Sequence, residues 1–407
     1  MKKYHYRIRR LAAVIIGLVF FVAGVFKLMD PVGAKLVVDE YMNFFHMGFL
    51  KGLSMPIALF LALLEALTGA ALVTGVYRLY AAISAAAMIG FFTVVTFILW
   101  IFNPQMDCGC FGEVVHLTHG QTFLKNIVLL ALAAVAFIPF KEFGKNKNRK
   151  YIPFCIVGVS TVALMIYSLL YIPLMDYTPF NLSSRLKAAS ADELIEDEGN
   201  WVATYIYEKN GQEGTFTLDR LPDSTWTFVR SEMMEVEDNI FETDFPELAI
   251  RDSEGNYVDS LAAGPMVLAI SVYEPSSLGI PKWKKISSTL QDAATEGFQP
   301  LLLVAMSPGT LPLPEGLEMQ DRITLGACAY SADYKTLVSL NRSNGGATYF
   351  NDGNLIEKWG RRNLPGSSEL GKLMRKDSTD AMLSASSKGR LTFQAFFLYT
   401  LAIMFLI

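Results

Sequence analysis

Four cysteines in 407 residues are too few for a disulfide framework, and no C-x-x-C stands among them. No basic stretch is interleaved with aromatic residues, which argues against a nucleic-acid partner, and the net charge of −4 points to no charged partner either. Long stretches lack charge altogether. Leu79–Phe102 holds 24 residues, and Tyr151–Met175 holds 25, with no Asp, Glu, Lys or Arg. A bilayer core needs about 20 apolar residues in helical form, and few soluble cores contain such runs.

The apolar residues that make up 52% of the chain are therefore clustered rather than spread. Leu11–Met29 carries one charge, Lys27, near enough to its end to snorkel toward water. Leu53–Tyr77 carries Glu65, and Thr122–Phe140 carries Lys125. Leu391–Ile407 is a sixth apolar run of 17 residues. Met1–Arg10 has five Lys or Arg residues and leads into a long run with no small-residue cleavage pattern. It reads as a retained helix rather than a signal peptide. The bases of Met1–Arg10 and Lys141–Lys150 place those segments in the cytoplasm. Asp30–Gly52, Asn103–Gln121 and the region after Pro173 then lie outside. Lys388 and Arg390 fall on the outer side of the last helix, against the rule.

Beyond Pro173 charge becomes frequent. Trp201–Glu208 and Thr215–Leu221 read as strands joined at Asn210-Gly211, with a third at Trp226–Arg230. Leu248–Ile250 and Tyr257–Val258 flank a turn. Met266–Tyr273, Leu301–Met306 and Ile323–Tyr330 read as buried strands. Lys282–Ala294 and Tyr334–Leu340 read as helices. Ala347–Phe350 and Leu355–Trp359 form a closing hairpin. This order resembles the thioredoxin fold in its peroxiredoxin-like form. The loop where that fold carries C-x-x-C is Tyr273-Glu274-Pro275-Ser276-Ser277-Leu278-Gly279, without cysteine, and Ser343-Asn344-Gly345-Gly346 stands where it carries a cis-proline. Cys328, within a predicted strand, reads as a small buried apolar residue. The domain is expected to bind or support without reacting.

Chemistry concentrates in the membrane half. Cys108-Gly109-Cys110 lies on an outer loop, where disulfides are permitted and the glycine lets the two thiols approach. A disulfide across so small a ring is strained and readily reduced. The same loop supplies Cys108, Cys110, His116 and His119, a set that zinc or copper accepts, though its spacing is not a common zinc pattern and metal is not the favoured reading. Thr118 and Gln121 form a capping-box signature beside His119. Glu65 lies midway along an apolar run, where a charge is costly. It is either a proton-linked or ligand-contacting group, or a neutral carboxyl bonded across helices. So few polar residues lie within the apolar runs that a transport path is disfavoured.

Gly17 through Phe20 and Ala23 through Leu28 with Asp30-Pro31, then Glu65, Gly69, Gly75 and Arg78, then Cys108-Gly109-Cys110-Phe111-Gly112 with Leu117-Thr118 and Lys125-Asn126, resemble the DoxX superfamily, and within it MauE of methylamine utilisation. The resemblance covers about residues 8–140. It implies a four-helix protein of the bacterial inner membrane, engaged in maturing a disulfide-rich periplasmic dehydrogenase subunit. That family is also similar to the core of vitamin K epoxide reductase-like proteins, which implies quinone as electron partner, but no C-x-x-C stands near the quinone position here.

The expected fold class is an α-helical membrane bundle with an extracytoplasmic α/β thioredoxin-like domain. Its parts are a four-helix DoxX/MauE-like domain over 1–140, a basic loop and fifth helix over 141–175, and a β-rich segment over 176–244. The thioredoxin-like domain follows over 245–365, then a linker over 366–390 and a sixth transmembrane helix over 391–407. The expected function is redox-associated, with Cys108 and Cys110 forming or passing a disulfide to a periplasmic protein partner. One alternative is a scaffold in which the cysteines are structural. Another is metal handling or transport through the Cys/His loop and Glu65.

Overall fold

The computed structural model describes residues 2–104, 106, 108–115, 117–138, 148–182, 184–186, 201–209, 212–216, 226–235 and 246–406. Among them, five helices are long and apolar enough to cross a membrane. They fall within α1 (Lys2–Met29), α3 (Ser54–Thr74, extended by a 3-10 turn from Gly48), α4 (Arg78–Phe102), α5 (His119–Phe137) and α6 (Tyr151–Leu170). Phe60, Phe91, Trp100, Phe102, Leu124 and Val159 face outward, as helices in lipid contact require. The run Tyr151–Met175 outlasts its helix, because the backbone turns extended at Tyr171, two residues before Pro173.

Small residues set the packing. A Cβ on Gly69 of α3 would lie 2.4 Å from the Phe21 backbone N of α1, and one on Gly24 would lie 2.5 Å from Ala66 N. Helices α1 and α3 thus touch backbone to backbone, where dispersion contacts hold apolar helices together in lipid. Gly69→Val is expected to cost about 3 kcal/mol through overpacking and to lower the thermal unfolding midpoint in detergent. Gly90→Val on α4, where nothing lies within 4 Å of the added Cβ, should leave that midpoint unchanged.

Helix α2 (Pro31–Phe44) occupies what the sequence presents as an outer loop. Asp30 caps it, accepting from Gly33 N at 2.9 Å, and Pro31 opens it. A short strand, β1 (Cys110–Glu113), follows the cysteine loop.

Beyond the bundle, β2 (Trp201–Lys209) lies between β3 (Gln212–Phe216) and β4 (Thr227–Glu235) in an antiparallel sheet. The expected Asn210-Gly211 turn lies outside the described residues. The larger sheet runs β7-β6-β5-β8-β9, where β5 is Val267–Val272, β6 Gln299–Val304, β7 Ala329–Ser331, β8 Gly346–Asn351 and β9 Asn354–Trp359. Strands β5, β6 and β7 are parallel, and β8 and β9 antiparallel. Strand alternation feeds two cores. Leu268, Ile270 and Val272 meet Trp283, Ile286 and Leu290 of α8 (Ile280–Thr295), while Val267 and Ala269 meet Leu248, Ile250 and Phe350. A one-turn helix, α7 (Ser260–Ala263), precedes β5. This is a mixed α/β domain.

Three expectations change here. Ile323–Tyr330 is not a strand: α9 (Met319–Ala327) takes most of it, Cys328 ends that helix, and only Ala329–Ser331 pairs. Ile323 is exposed and Leu325 buried, the pattern of one helical face rather than of a central strand. The hairpin around Asp252–Gly255 is reduced to a single bridge, Arg251 to Tyr257. After α10 (Tyr334–Leu340) and the β8–β9 hairpin, the expected linker over 366–390 is helical. It holds α11 (Ser367–Met374) and the start of α12 (Ser378–Leu406), whose first turn is capped by Asp377 accepting from Thr379 N at 2.9 Å. Helix α12, which holds the run expected to be a sixth spanning helix, lies outside the five helices counted above. Its apolar end packs on α1 all the same, with Phe393 against Phe26 and Phe397 stacked on Phe21.

Candidate functional site

Tight turns deliver the site's residues. Helix α4 ends in left-handed backbone at Asn103, and the chain turns back toward α5 through Pro104, Cys108 and Gly109, the last with φ of +58°. The capping box at the start of α5 is present: Thr118 Oγ1 accepts from Gln121 N, and the Gln121 side chain accepts from Thr118 N. That cap fixes His119 at the first helical position, with its ring turned inward and buried.

His119 Nε2 lies 2.9 Å from Pro104 O, and Nδ1 lies 2.8 Å from Cys108 Sγ. A carbonyl can only accept, so Nε2 carries the proton and Nδ1 of the neutral ring is left to accept from the thiol. Cys108 therefore has a base in contact, the arrangement that generates thiolate nucleophiles. Cys108 is 5% exposed, and Cys110 beside it is half-buried. Both are thiols in this structure. Gly109 is required between them, because a Cβ there would lie 2.3 Å from Val37 Cγ1 in addition to the left-handed backbone.

Cys108, Gly109 and Cys110 line a cavity of about 640 Å³ that lies among α1 to α5 and is partly open to the surface. Its walls are apolar, from residues such as Phe20, Val38, Leu61 and Phe92. The polar exceptions are few. Lys27 Nζ pairs with Glu65 Oε2 at 2.7 Å, with side chains 15% and 6% exposed. Lys125 sits over the Phe111 ring at 4.9 Å, and buried Asn126 donates to Thr96 Oγ1 at 3.1 Å. Tyr41 donates to Cys108 O at 2.5 Å. A ligand pocket typically holds about 300–1,000 Å³ with a few placed polar groups.

The structure thus brings together Cys108, Cys110 and Glu65 around one cavity, with His119 in contact with Cys108. Lys27 does not snorkel, because α2 covers the end of α1 and Glu65 supplies a partner. His119 is not polar surface but a contact of Cys108. His116 lies outside the described residues, and among those described no three His, Cys, Asp or Glu residues gather to hold a metal. Tyr41 and Val37 join the site without having been marked by any sequence motif, whereas Asn126 stands among the residues that carry the family resemblance. For the first two, the spacing Ala34, Val37, Val38, Tyr41, Met42 is the available signal of a helix face.

No curated protein and no solved structure matches the chain. Residues 202–237, spanning β2 to β4, match a domain of unknown function, DUF8463. Residues 6–139, which hold α1 to α5, the cysteine loop and the whole cavity wall, match the family of the methylamine utilisation protein MauE.

Proposed function

We propose that the MauE domain performs thiol–disulfide exchange at Cys108 and Cys110 for a client outside the cytoplasmic membrane, in the manner that maturation of a disulfide-bearing protein of methylamine metabolism requires. The observation that carries this reading is the contact between Cys108 Sγ and His119 Nδ1 at the wall of the cavity. Helix α1 begins in bases and ends at the face that carries α2, the cysteine loop and the sheet domain. The positive-inside rule supports a periplasmic position for that face in a bacterium. The packing of α12 on α1 supports a sixth membrane helix, and the sheet order supports a thioredoxin-like tail without thiols.

With Cys108 and Cys110 joined, a client thiolate attacks Sγ of Cys110, the more exposed of the two, and the S–S bond breaks toward Cys108. Cys108 leaves as a thiolate and takes up the proton given off by the client thiol, which His119 Nδ1, in contact with Cys108 Sγ, can carry to it. The second client thiolate attacks the client sulfur of the mixed disulfide and expels Cys110. The client leaves oxidised and the protein holds two thiols, with electrons balanced. Restoring the disulfide removes two electrons and two protons, and a lipid-soluble quinone is the chemical class that accepts both. The apolar cavity fits such a ring and part of its chain, with Lys27, Lys125 and Asn126 as polar neighbours. A metal centre and a transport path have no comparable support among the described residues.

In Cys108→Ser, Cys110 stays a thiol and can attack client supplied as its disulfide, the reverse of the exchange above, releasing one client thiol. Without Cys108 to resolve it, the mixed disulfide on Cys110 should accumulate, visible as a reductant-sensitive adduct after acid quenching. Absence of any adduct in this variant and in Cys110→Ser would leave the scaffold reading in its place.

A further inference from the structure

Helix α2 has two faces, and both are covered. Ala34, Val37, Val38, Tyr41 and Met42 face the cavity. On the other side Val32 and Leu36 pack against the apolar core of the sheet domain. Polar contacts reinforce that second face. Lys35 Nζ lies 2.9 Å from Glu274 Oε1, and Glu40 Oε1 lies 2.7 Å from Lys335 Nζ. Burial works against the Lys35 charge, but the hydrogen bond and charge of Glu274 outweigh it and hold the ammonium above its ordinary range. The most buried contact is at the start of the helix. Arg342 has a side chain 3% exposed and places Nε and Nη2 each 2.9 Å from Asp30 Oδ2, while Asp30 Oδ1 caps α2. One carboxylate thus ties the first turn of α2 to the loop before β8.

The cavity face of α2 in turn grips the cysteine loop. Val37 fills the space over Gly109, and the Tyr41 hydroxyl holds Cys108 O. The Cys108 backbone is therefore fixed from α2 and its sulfur from α5. Neither grip touches the sheet domain directly, yet a displacement of α2 releases the first of them.

We infer that Arg342 is a positioning residue for Cys108: docking of the sheet domain through Arg342–Asp30 locks α2, and α2 keeps the Cys108 loop closed over its thiol. The tail then has a role that needs no cysteine of its own, as the device that decides when the buried thiol is open. Asn344 serves the same face from behind. Its side chain accepts from Tyr273 N and Glu274 N and donates to Glu274 O, joining the loop after β5 to the loop before β8. The inference rests on Cys108 being one of the two exchanging thiols, but it concerns access and not turnover.

The test uses the full-length protein in detergent, alkylated with a maleimide, with modification at each of the four cysteines followed by mass spectrometry. Arg342→Ala, which leaves a half-buried carboxylate without its charged donor, is expected to raise the Cys108 rate about ten-fold through more frequent local opening. Cys328 in the sheet domain and Cys155 on α6 should keep their rates, which shows that both domains remain folded. Arg342→Lys should restore most of the protection. A second pair guards against a misfolded variant: Glu274→Lys should also expose Cys108, and adding Lys35→Glu should close it again. An unchanged Cys108 rate in Arg342→Ala, or a joint rise at Cys108, Cys155 and Cys328, overturns the inference. Because alkylation requires no disulfide cycle, a protein that never exchanges disulfides can still pass this test.

Discussion

The double variant Cys108→Ser, Cys110→Ser is expected to assemble a normal helical bundle and to lose disulfide exchange completely. In vesicles holding the purified protein, a peptide dithiol as donor and a short-chain benzoquinone as acceptor, wild-type protein should couple peptide oxidation to bleaching of the quinone ring. Removing a nucleophile typically costs about 10³- to 10⁶-fold, so the double variant should sit at the background rate. Folding should survive because the helices are held by their satisfied backbones and by packing such as that of Gly69 on Phe21, not by a covalent link. His119→Ala belongs in the same assay. It keeps both thiols and removes only the base, so a loss of about 10²-fold is expected. The two variants together separate the alternatives. A structural role for the cysteines predicts a less stable double variant and an indifferent His119→Ala. Coupled oxidation that persists in the double variant rejects the redox reading outright.

Much of the bundle is legible in the sequence, because a charge-free run of 24 residues is rare outside a membrane-crossing helix. What is hard to read is the material at its ends. The segment from Asp30 to Gly52 carries Lys35, Asp39, Glu40 and Lys51, and charge at that density reads as solvent-facing loop. Asp30-Pro31 is a good helix start, but the apolar face that follows is short, and only the sheet domain on its far side explains why the other face is charged. The site shows the same limit. The capping box at Thr118 and the pairing of two cysteines around a glycine are local signals and are visible in the sequence. The contact of His119 with Cys108 depends on how the loop between them turns, which no residue pattern encodes. Lys27 misleads for a related reason. Near the end of an apolar run, lysine usually reaches water, and the helix that blocks that route is α2, the one its own charges disguise. In the tail, the strand expected over Ile323–Tyr330 rests on apolar and β-branched content, a weak signal when solvent covers one face of the segment.

Glu65 and Lys27 make the sharpest case for reading stability and function apart. Their side chains are 6% and 15% exposed and 2.7 Å apart on the cavity wall, one from α3 and one from α1. Removing one partner of a buried pair leaves the other charge unmatched and costs about 3–5 kcal/mol, whereas replacing both by apolar groups removes two desolvation costs at once and is often close to neutral. Glu65→Leu should therefore be the most destabilising single change in the bundle, since the Lys27 ammonium is left facing apolar walls and the Phe92 ring 5.5 Å away. Lys27→Met should destabilise as well, because it leaves the Glu65 side chain without its charged partner. The double variant Lys27→Met, Glu65→Leu should return close to the wild-type unfolding midpoint, a coupling well outside additivity. Function should not return with it. If these groups hold the polar head of the acceptor in the cavity, the double variant will show a raised KM for quinone, with kcat kept by the intact Cys108 and His119. Equal destabilisation by the singles and the double would show that the pair does not form. A stable double variant with unaltered KM would confine the pair to joining α1 and α3, and would place the acceptor nearer Lys125 and Asn126.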